Sequence, residues 1–279
     1  MKEPRAPCVL ITGCGEGGIG HALAAEFKSK GCRVFTTLLA HEPRDHLTNN
    51  GINAYTADVT KDDDVITLRD TISEITNGNL DVLVNCAGIC YTMTAIDTEV
   101  KEVEKMFAVN VFGPMRMVHI FHPMLIKSKG KIVNIGSVGG IVPYVYGSSY
   151  NATKAALHHW GNTLRVELKP LGVDVINIIS GEVGTNILKR DNSRKLPEKS
   201  FYRPLEKEFQ NHVRRSPQTV SPQQYATAVV AEVLKEHPRA WFWTGARSFE
   251  VWFGDTFLPK TFWDGIFTRE FNLTKLLAK

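Results

Sequence analysis

An apolar run, Cys8-Val9-Leu10-Ile11-Thr12, opens directly into Gly13-Cys14-Gly15-Glu16-Gly17-Gly18-Ile19-Gly20. Short continuous apolar runs suit strands buried on both faces of a parallel sheet. A helical pattern over residues 21–27 follows and ends near Gly31, and residues 33–38 read as a second strand. Strand, glycine turn and helix in that order leave few folds open. The glycines let the backbone close on a pyrophosphate, and the helix N-terminus offers free N–H groups and a favourable dipole. Gly13, Gly15, Gly18, Ile19 and Gly20 are therefore candidate cofactor-binding positions.

The same alternation continues along the chain. Residues 54–59 read as a third strand with Asp58 and Val59 at its end, and 61–75 as a polar-faced helix. Residues 80–85 read as a fourth strand, with Asn85-Cys86-Ala87-Gly88 beyond it, small residues that let backbone lie against a nucleotide. One long helix or two abutting ones span 99–126, with Asn110 in an apolar stretch. A strand over 131–136 ends at Ser137, and a helix carries Tyr150 and Lys154 towards Leu168. A sixth strand over 173–179 leads into a turn with Gly181, Val183 and Thr185. Strands alternating with helices predict βαβ units. The expectation is a single doubly wound α/β domain over residues 1–279, with a parallel sheet of about seven strands and helices on both faces. Ligands gather at the carboxyl ends of such strands, which puts Gly13, Asn85, Ser137, Tyr150 and Thr185 on one rim.

Tyr150 and Lys154 are four apart, so on a helix they share a face. A neighbouring cation favours the phenolate and lowers the phenol's pKa towards working pH. Ser137, at a strand end, can converge with them on one carbonyl oxygen. At the end of the second strand an acidic residue would read a ribose 2′-hydroxyl and a basic one a 2′-phosphate. Here that strand ends in Leu38-Leu39-Ala40, neither acidic nor basic, and His41 and Arg44 lie just beyond.

Over residues 8 to about 190 the chain resembles the short-chain dehydrogenase/reductase family. The resemblance rests on the glycine turn after Thr12, Asp58-Val59, Asn85-Cys86-Ala87-Gly88, Asn110, Ser137, Tyr150-x-x-x-Lys154 and the turn from Gly181 to Thr185. It implies an oxidoreductase with Asn110, Ser137, Tyr150 and Lys154 as catalytic tetrad. Tyr150 would be the proton donor in reduction and Ser137 a hydrogen-bond donor to the substrate oxygen. Lys154 would bind the nicotinamide ribose and lower the pKa of Tyr150, and Asn110 would hold a water linking Lys154 to solvent. Three departures stand out. The glycine turn is one residue longer than the usual form, Ser180 replaces a proline, and Leu39 stands where many NADP-dependent members carry arginine. The first two occur in a branch resembling fungal 1-acyldihydroxyacetone-phosphate reductases. The resulting expectation is an NADP(H)-dependent reductase of a hydrophobic ketone, either an acyl ketone phosphate lipid or a secondary-metabolite intermediate. NAD(H) stays open because of Leu39. The alternatives are an NAD-linked alcohol dehydrogenase and a non-redox binding or cyclising member. A homodimer or homotetramer is implied by resemblance alone.

Composition removes other classes. The 279 residues carry a net charge of +4 with scattered basic residues, which argues against nucleic acid. Five cysteines, without a second pair or a histidine at ligand spacing, give no metal site and fit free thiols in a reducing compartment. His119, His122, His158 and His159 read as helix-packing residues. Residues 187–222, polar and rich in Lys, Arg and Pro, are expected to be a mobile substrate loop, followed by an amphipathic helix over 222–236. Residues 241–279 hold four of the five tryptophans. They are expected to pack on the core, line an apolar pocket or meet a lipid surface. The expected location is cytoplasmic, or peripheral to endoplasmic reticulum or lipid droplets.

Overall fold

The computed structural model describes residues 5–187, 191–215 and 219–277. The strands are β1 (Cys8–Ile11), β2 (Arg33–Leu38), β3 (Asn53–Thr56), β4 (Val82–Asn85), β5 (Lys131–Ile135), β6 (Asp174–Ser180) and β7 (Trp241–Thr244). The helices are α1 (Ile19–Ser29), α2 (Asp45–Thr48), α3 (Asp62–Thr76), α4 (Val100–Phe107), α5 (Gly113–Ser128), α6 (Ser148–Leu168), α7 (Glu206–Val213), α8 (Pro222–Val233), α9 (Ser248–Phe257) and α10 (Phe262–Glu270). The strands form one sheet in the order β3-β2-β1-β4-β5-β6-β7, and every pairing is parallel. The order reverses between β1 and β4, the point at which an open sheet leaves a crevice at its carboxyl edge.

Burial on both faces explains the apolar runs. Successive strand side chains point to opposite faces, so Val9 and Ile11 of β1 join α1 and α8 through Leu23, Phe27, Val229 and Val233. Leu10 faces the other way, onto α3 and α5 through Leu68, Ile72, Met117 and Phe121. Helix starts carry recognisable signals. Ser221 and Gln224 close a capping box ahead of Pro222, and Asp62, Asp63 and Asp64 occupy the first turn of α3, where the helix dipole favours negative charge.

Three features differ from the sequence-based expectation. Of the one long or two abutting helices expected over 99–126, the structure has two, α4 and α5, and what was not expected is the π-helical segment Ala108–Phe112 that joins them, with Asn110 inside it. The seventh strand lies within the aromatic tail: Trp241–Thr244 pairs with residues 177–180 at the edge of the sheet. Finally, the segment expected as a mobile loop is folded in part. Leu205, Phe209 and Val213, spaced by four, are buried along one side of α7. Asp191, also buried, accepts from Thr92 N (2.9 Å) and Thr92 Oγ1 (2.6 Å) and pairs with Arg194. Residues 188–190 and 216–218 of that segment lie outside the described residues.

A third cluster brings these late elements together. Phe209, Val213, Val251, Trp263, Phe267 and Phe271 pack around Tyr146 and Val142. The tail thus packs on the core along one side. Along the other side of α9, Phe249, Phe253 and Phe257 stay 67%, 47% and 62% exposed.

Candidate active site

The carboxyl ends of the strands open into one cavity of about 920 Å³. Gly13, Gly15, Gly18, Ile19, Gly20, Leu39, Asp58, Val59, Ala87, Gly88, Val183 and Thr185 all line it, together with Ser137, Tyr150 and Lys154. At one end the backbone itself forms the wall. A Cβ on Gly13, whose φ is +70°, would stand 2.6 Å from Ala87 Cα, and one on Gly20 would stand 2.5 Å from the Gly13 carbonyl oxygen. Thr12 Oγ1 accepts from Cys86 N (3.0 Å) and Ala87 N (3.1 Å), so the two turns are stitched together. This cradle at the N-terminus of α1 fits the pyrophosphate of a dinucleotide.

The chemistry-bearing side chains meet beyond it. Tyr150 is hydrogen-bonded to Ser137, and Ser137 Oγ accepts from Gly139 N at 3.0 Å. Lys154 Nζ donates to the Ile135 carbonyl at 2.9 Å and lies 5.6 Å from the centre of the Tyr150 ring. Burial pushes the Tyr150 phenol well above its ordinary value, and the Ser137 hydrogen bond opposes this only in part. The desolvation of this half-buried phenol outweighs the expected lowering by Lys154, whose ammonium lies 5.6 Å from the ring centre. Burial also pulls Lys154 down to about 8. Tyr150 holds its proton at neutral pH, the state a proton donor needs.

Asn110 is buried in the π-helical segment. Its Oδ1 accepts from Ile89 N (2.9 Å), and its Nδ2 donates to Ile89 O (2.9 Å) and Thr153 Oγ1 (3.0 Å). Both amide N–H groups are thus committed to tying the turn after β4 to α6. Asn85 does not face the cavity. It starts a row of buried amides across the sheet, donating to Asn134 Oδ1 (2.9 Å), while Asn134 donates to Asn177 Oδ1 (3.2 Å). Ser180, which takes the place of a proline, meets the Tyr225 hydroxyl at 2.6 Å.

Around the adenosine end the structure departs from expectation. Arg44 points away from the cavity, its guanidinium donating to Thr56 Oγ1 at 2.8 Å. The carboxylate of Glu42 stands there in its place: Oε2 accepts from Leu39 N at 2.8 Å, and Oε1 lies 3.2 Å from where a Gly15 Cβ would be. Sequence reasoning passed over Glu42 because a loop residue has no periodicity to give its direction. The tail lines an apolar pocket, as one of the expectations had it: Val251, Trp263 and Phe267 form the outer wall of the cavity, and what sequence reasoning missed there is their partners Val142, Tyr144, His212 and Arg215. Burial brings His212 down to about 3 and keeps it neutral beside Arg215. Among the described residues no cluster could hold a metal ion, and no helix is long and apolar enough to cross a membrane.

Comparison with known proteins places this architecture. Residues 7–196 match the family model for short chain dehydrogenases. The chain is 69% identical to the short-chain dehydrogenase anuB of Penicillium roqueforti over 262 residues, 94% of this chain and 91% of that one. It is 37% identical to the NADPH-dependent 1-acyldihydroxyacetone phosphate reductase of Schizosaccharomyces pombe, covering 88% of this chain and 85% of that one. Among solved structures, a short-chain dehydrogenase from Streptomyces avermitilis superposes with a TM-score of 0.77 at 24% identity, over 98% of both chains. One from Burkholderia cenocepacia in complex with NADP gives 0.70 at 21%, over 90% of this chain and 92% of that one. The glycine cradle, the seven-stranded parallel sheet and these relatives agree: the chain belongs to the short-chain dehydrogenase family, and it is an oxidoreductase.

Proposed function

We propose that the protein reduces the carbonyl of an apolar ketone or aldehyde to an alcohol, with Tyr150 as proton donor. The observation that carries this is a half-buried Tyr150 joined to Ser137 and lying beside Lys154, at the meeting of a dinucleotide cradle and an apolar pocket. A bound nicotinamide dinucleotide supplies the hydride. Ser137 Oγ, fixed as an acceptor by Gly139 N, turns its own proton from the Tyr150 phenol to the developing alkoxide when substrate enters. The Tyr150 proton then completes the alcohol. Lys154 stands where it stabilises the phenolate left behind. Val142, Trp263 and Phe267 exclude water and hold the apolar part of the substrate.

The test is a screen of long-chain methyl ketones and aromatic aldehydes with each reduced cofactor, followed by nicotinamide absorbance. Tyr150→Phe lowers kcat by a factor on the order of 10³ and leaves the cofactor Kd unchanged. A variant as fast as the wild type overturns the proposal.

For the cofactor we read NADP(H), on the stated NADPH dependence of the fission-yeast relative. Glu42 favours a second reading, NAD(H), because a carboxylate at this position accepts from a ribose hydroxyl and repels a 2′-phosphate. Binding titrations separate the two: Glu42→Gln tightens NADPH by about tenfold relative to NADH, about 1.4 kcal/mol. An unchanged ratio removes Glu42 from the choice. We further read the exposed Phe249, Phe253 and Phe257 as a contact with a lipid surface, making the protein cytoplasmic with peripheral attachment, and the assembled form as a homodimer or homotetramer. Vesicle flotation and light scattering test these two readings.

A further inference from the structure

Four residues beyond Lys154 on the same side of α6, His158 is 3% exposed and enters no step of the reaction above. Its ring fills a slot at the end of β5. A Cβ on Gly136 would overlap its Nε2, and one on Gly140 would stand 2.7 Å from its Cε1. Trp241 of β7 closes the slot, with ring centres 5.5 Å apart. In that slot Nε2 accepts the backbone N–H of Ser137 at 3.2 Å. Burial and the nearby Lys154 bring His158 down to about 3, so the ring is neutral and its proton belongs on Nδ1. The backbone of the same residue is fixed too: the His158 carbonyl accepts from Asn177 Nδ2 at 3.1 Å, at the end of the amide row that begins at Asn85.

These contacts converge on one residue. Ser137 has its N–H held by His158 and its Oγ held by Gly139 N, and its hydroxyl also meets the Tyr150 phenol, so the serine is fixed from three sides where the substrate oxygen would sit. Tyr150, Lys154 and His158 recur every four residues, so all three lie along one strip of α6. The helix that carries the proton donor thus also carries the group that fixes the serine. We propose that His158 is a positioning residue, a neutral imidazole strut that sets Ser137 Oγ at a fixed place relative to Tyr150. The inference rests on the reading of Ser137 and Tyr150 given above.

The resting protein offers a first test, free of any substrate. In ¹⁵N-histidine-labelled protein at neutral pH, His158 gives the spectrum of the Nδ1–H tautomer with an unprotonated Nε2. The opposite tautomer, or a charged ring, overturns the proposal. Kinetics give the second test, with the carbonyl compound from the screen that turns over fastest. His158→Leu lowers kcat on the order of tenfold and leaves cofactor KM unchanged, because it displaces only the serine. His158→Gln, whose amide oxygen reaches the place of Nε2, restores kcat to within about threefold, while the shorter His158→Asn does not. In a Ser137→Ala background, His158→Leu costs nothing further, since the hydroxyl it serves is gone. A merely structural role would lower both backgrounds alike, and that result overturns the proposal. If His158→Leu does not fold, the order of Gln above Asn carries the same comparison, and equal rates for the two overturn it. Failure of the underlying reading looks different: Ser137→Ala would then be fully active by itself.

Discussion

The two ends of the cavity are built from different materials. At the cofactor end the surface is backbone. Gly13, Gly20 and Ala87 approach so closely that no side chain fits between them, and Thr12 binds two main-chain N–H groups of the neighbouring turn. At the substrate end the surface is side chain. Tyr144, Trp263 and Phe267 line it, and Phe209 and Phe271 pack behind. Backbone walls this close leave no room for an added side chain. Side-chain walls can be changed residue by residue without moving a strand. One fold can therefore keep its hydride donor and exchange its substrate.

Substitutions at the two ends should fail in different ways. The largest effect on binding is expected at Gly13. Gly13→Val puts a branched side chain at a left-handed φ and into Ala87, and cofactor binding falls at least a hundredfold, more than about 2.7 kcal/mol, by calorimetric titration. Retention of wild-type affinity would mean that the cradle is soft. Next comes Phe209→Ala, which empties a fully buried aromatic site and lowers stability by about 3–5 kcal/mol in denaturant unfolding. In the folded fraction the substrate KM rises while the cofactor Kd stays within about twofold of wild type. A parallel loss of cofactor affinity would show that the two ends are one mechanical unit.

Small per pH unit, and graded, is the response to acid. His158 stays neutral in the folded chain down to about pH 3, whereas in the unfolded chain it binds a proton near 6.5. Between those limits the unfolded state holds the extra proton, so stability falls as pH falls, by about 1.4 kcal/mol per pH unit. His212 adds to this from the substrate end. Chemical denaturation midpoints at stepped pH values, compared with His212→Phe, divide the slope between the two regions. A slope unchanged by that substitution places the acid sensitivity elsewhere.

The same contrast explains what could be read from the sequence. The cradle, the first six strands and the strip carrying Tyr150 and Lys154 were legible, since each is written in contiguous residues with a fixed period. The seventh strand was not, because Trp241–Thr244 merges into an aromatic stretch that hides its boundaries. α7 was hidden in a segment whose average polarity masks the spacing of Leu205, Phe209 and Val213. Glu42 and His158 act through directions that only the folded chain supplies. Tyr150 was placed with the right partners, but the sign of its pKa shift depended on enclosure, which spacing along a helix does not report.

The pairing of β7 with β6 carries a consequence for how the chain can be shortened. Asp174–Ser180 carries four aliphatic side chains, and the outer hydrogen-bonding edge of its last four residues is covered by Trp241–Thr244. A chain cut before residue 241 would do more than lose its substrate wall. It would present residues 177–180, with Ile178 and Ile179 among them, on an open parallel edge, a template for self-association. The aromatic tail is thus also the cover of a sheet edge that the catalytic half would otherwise leave open.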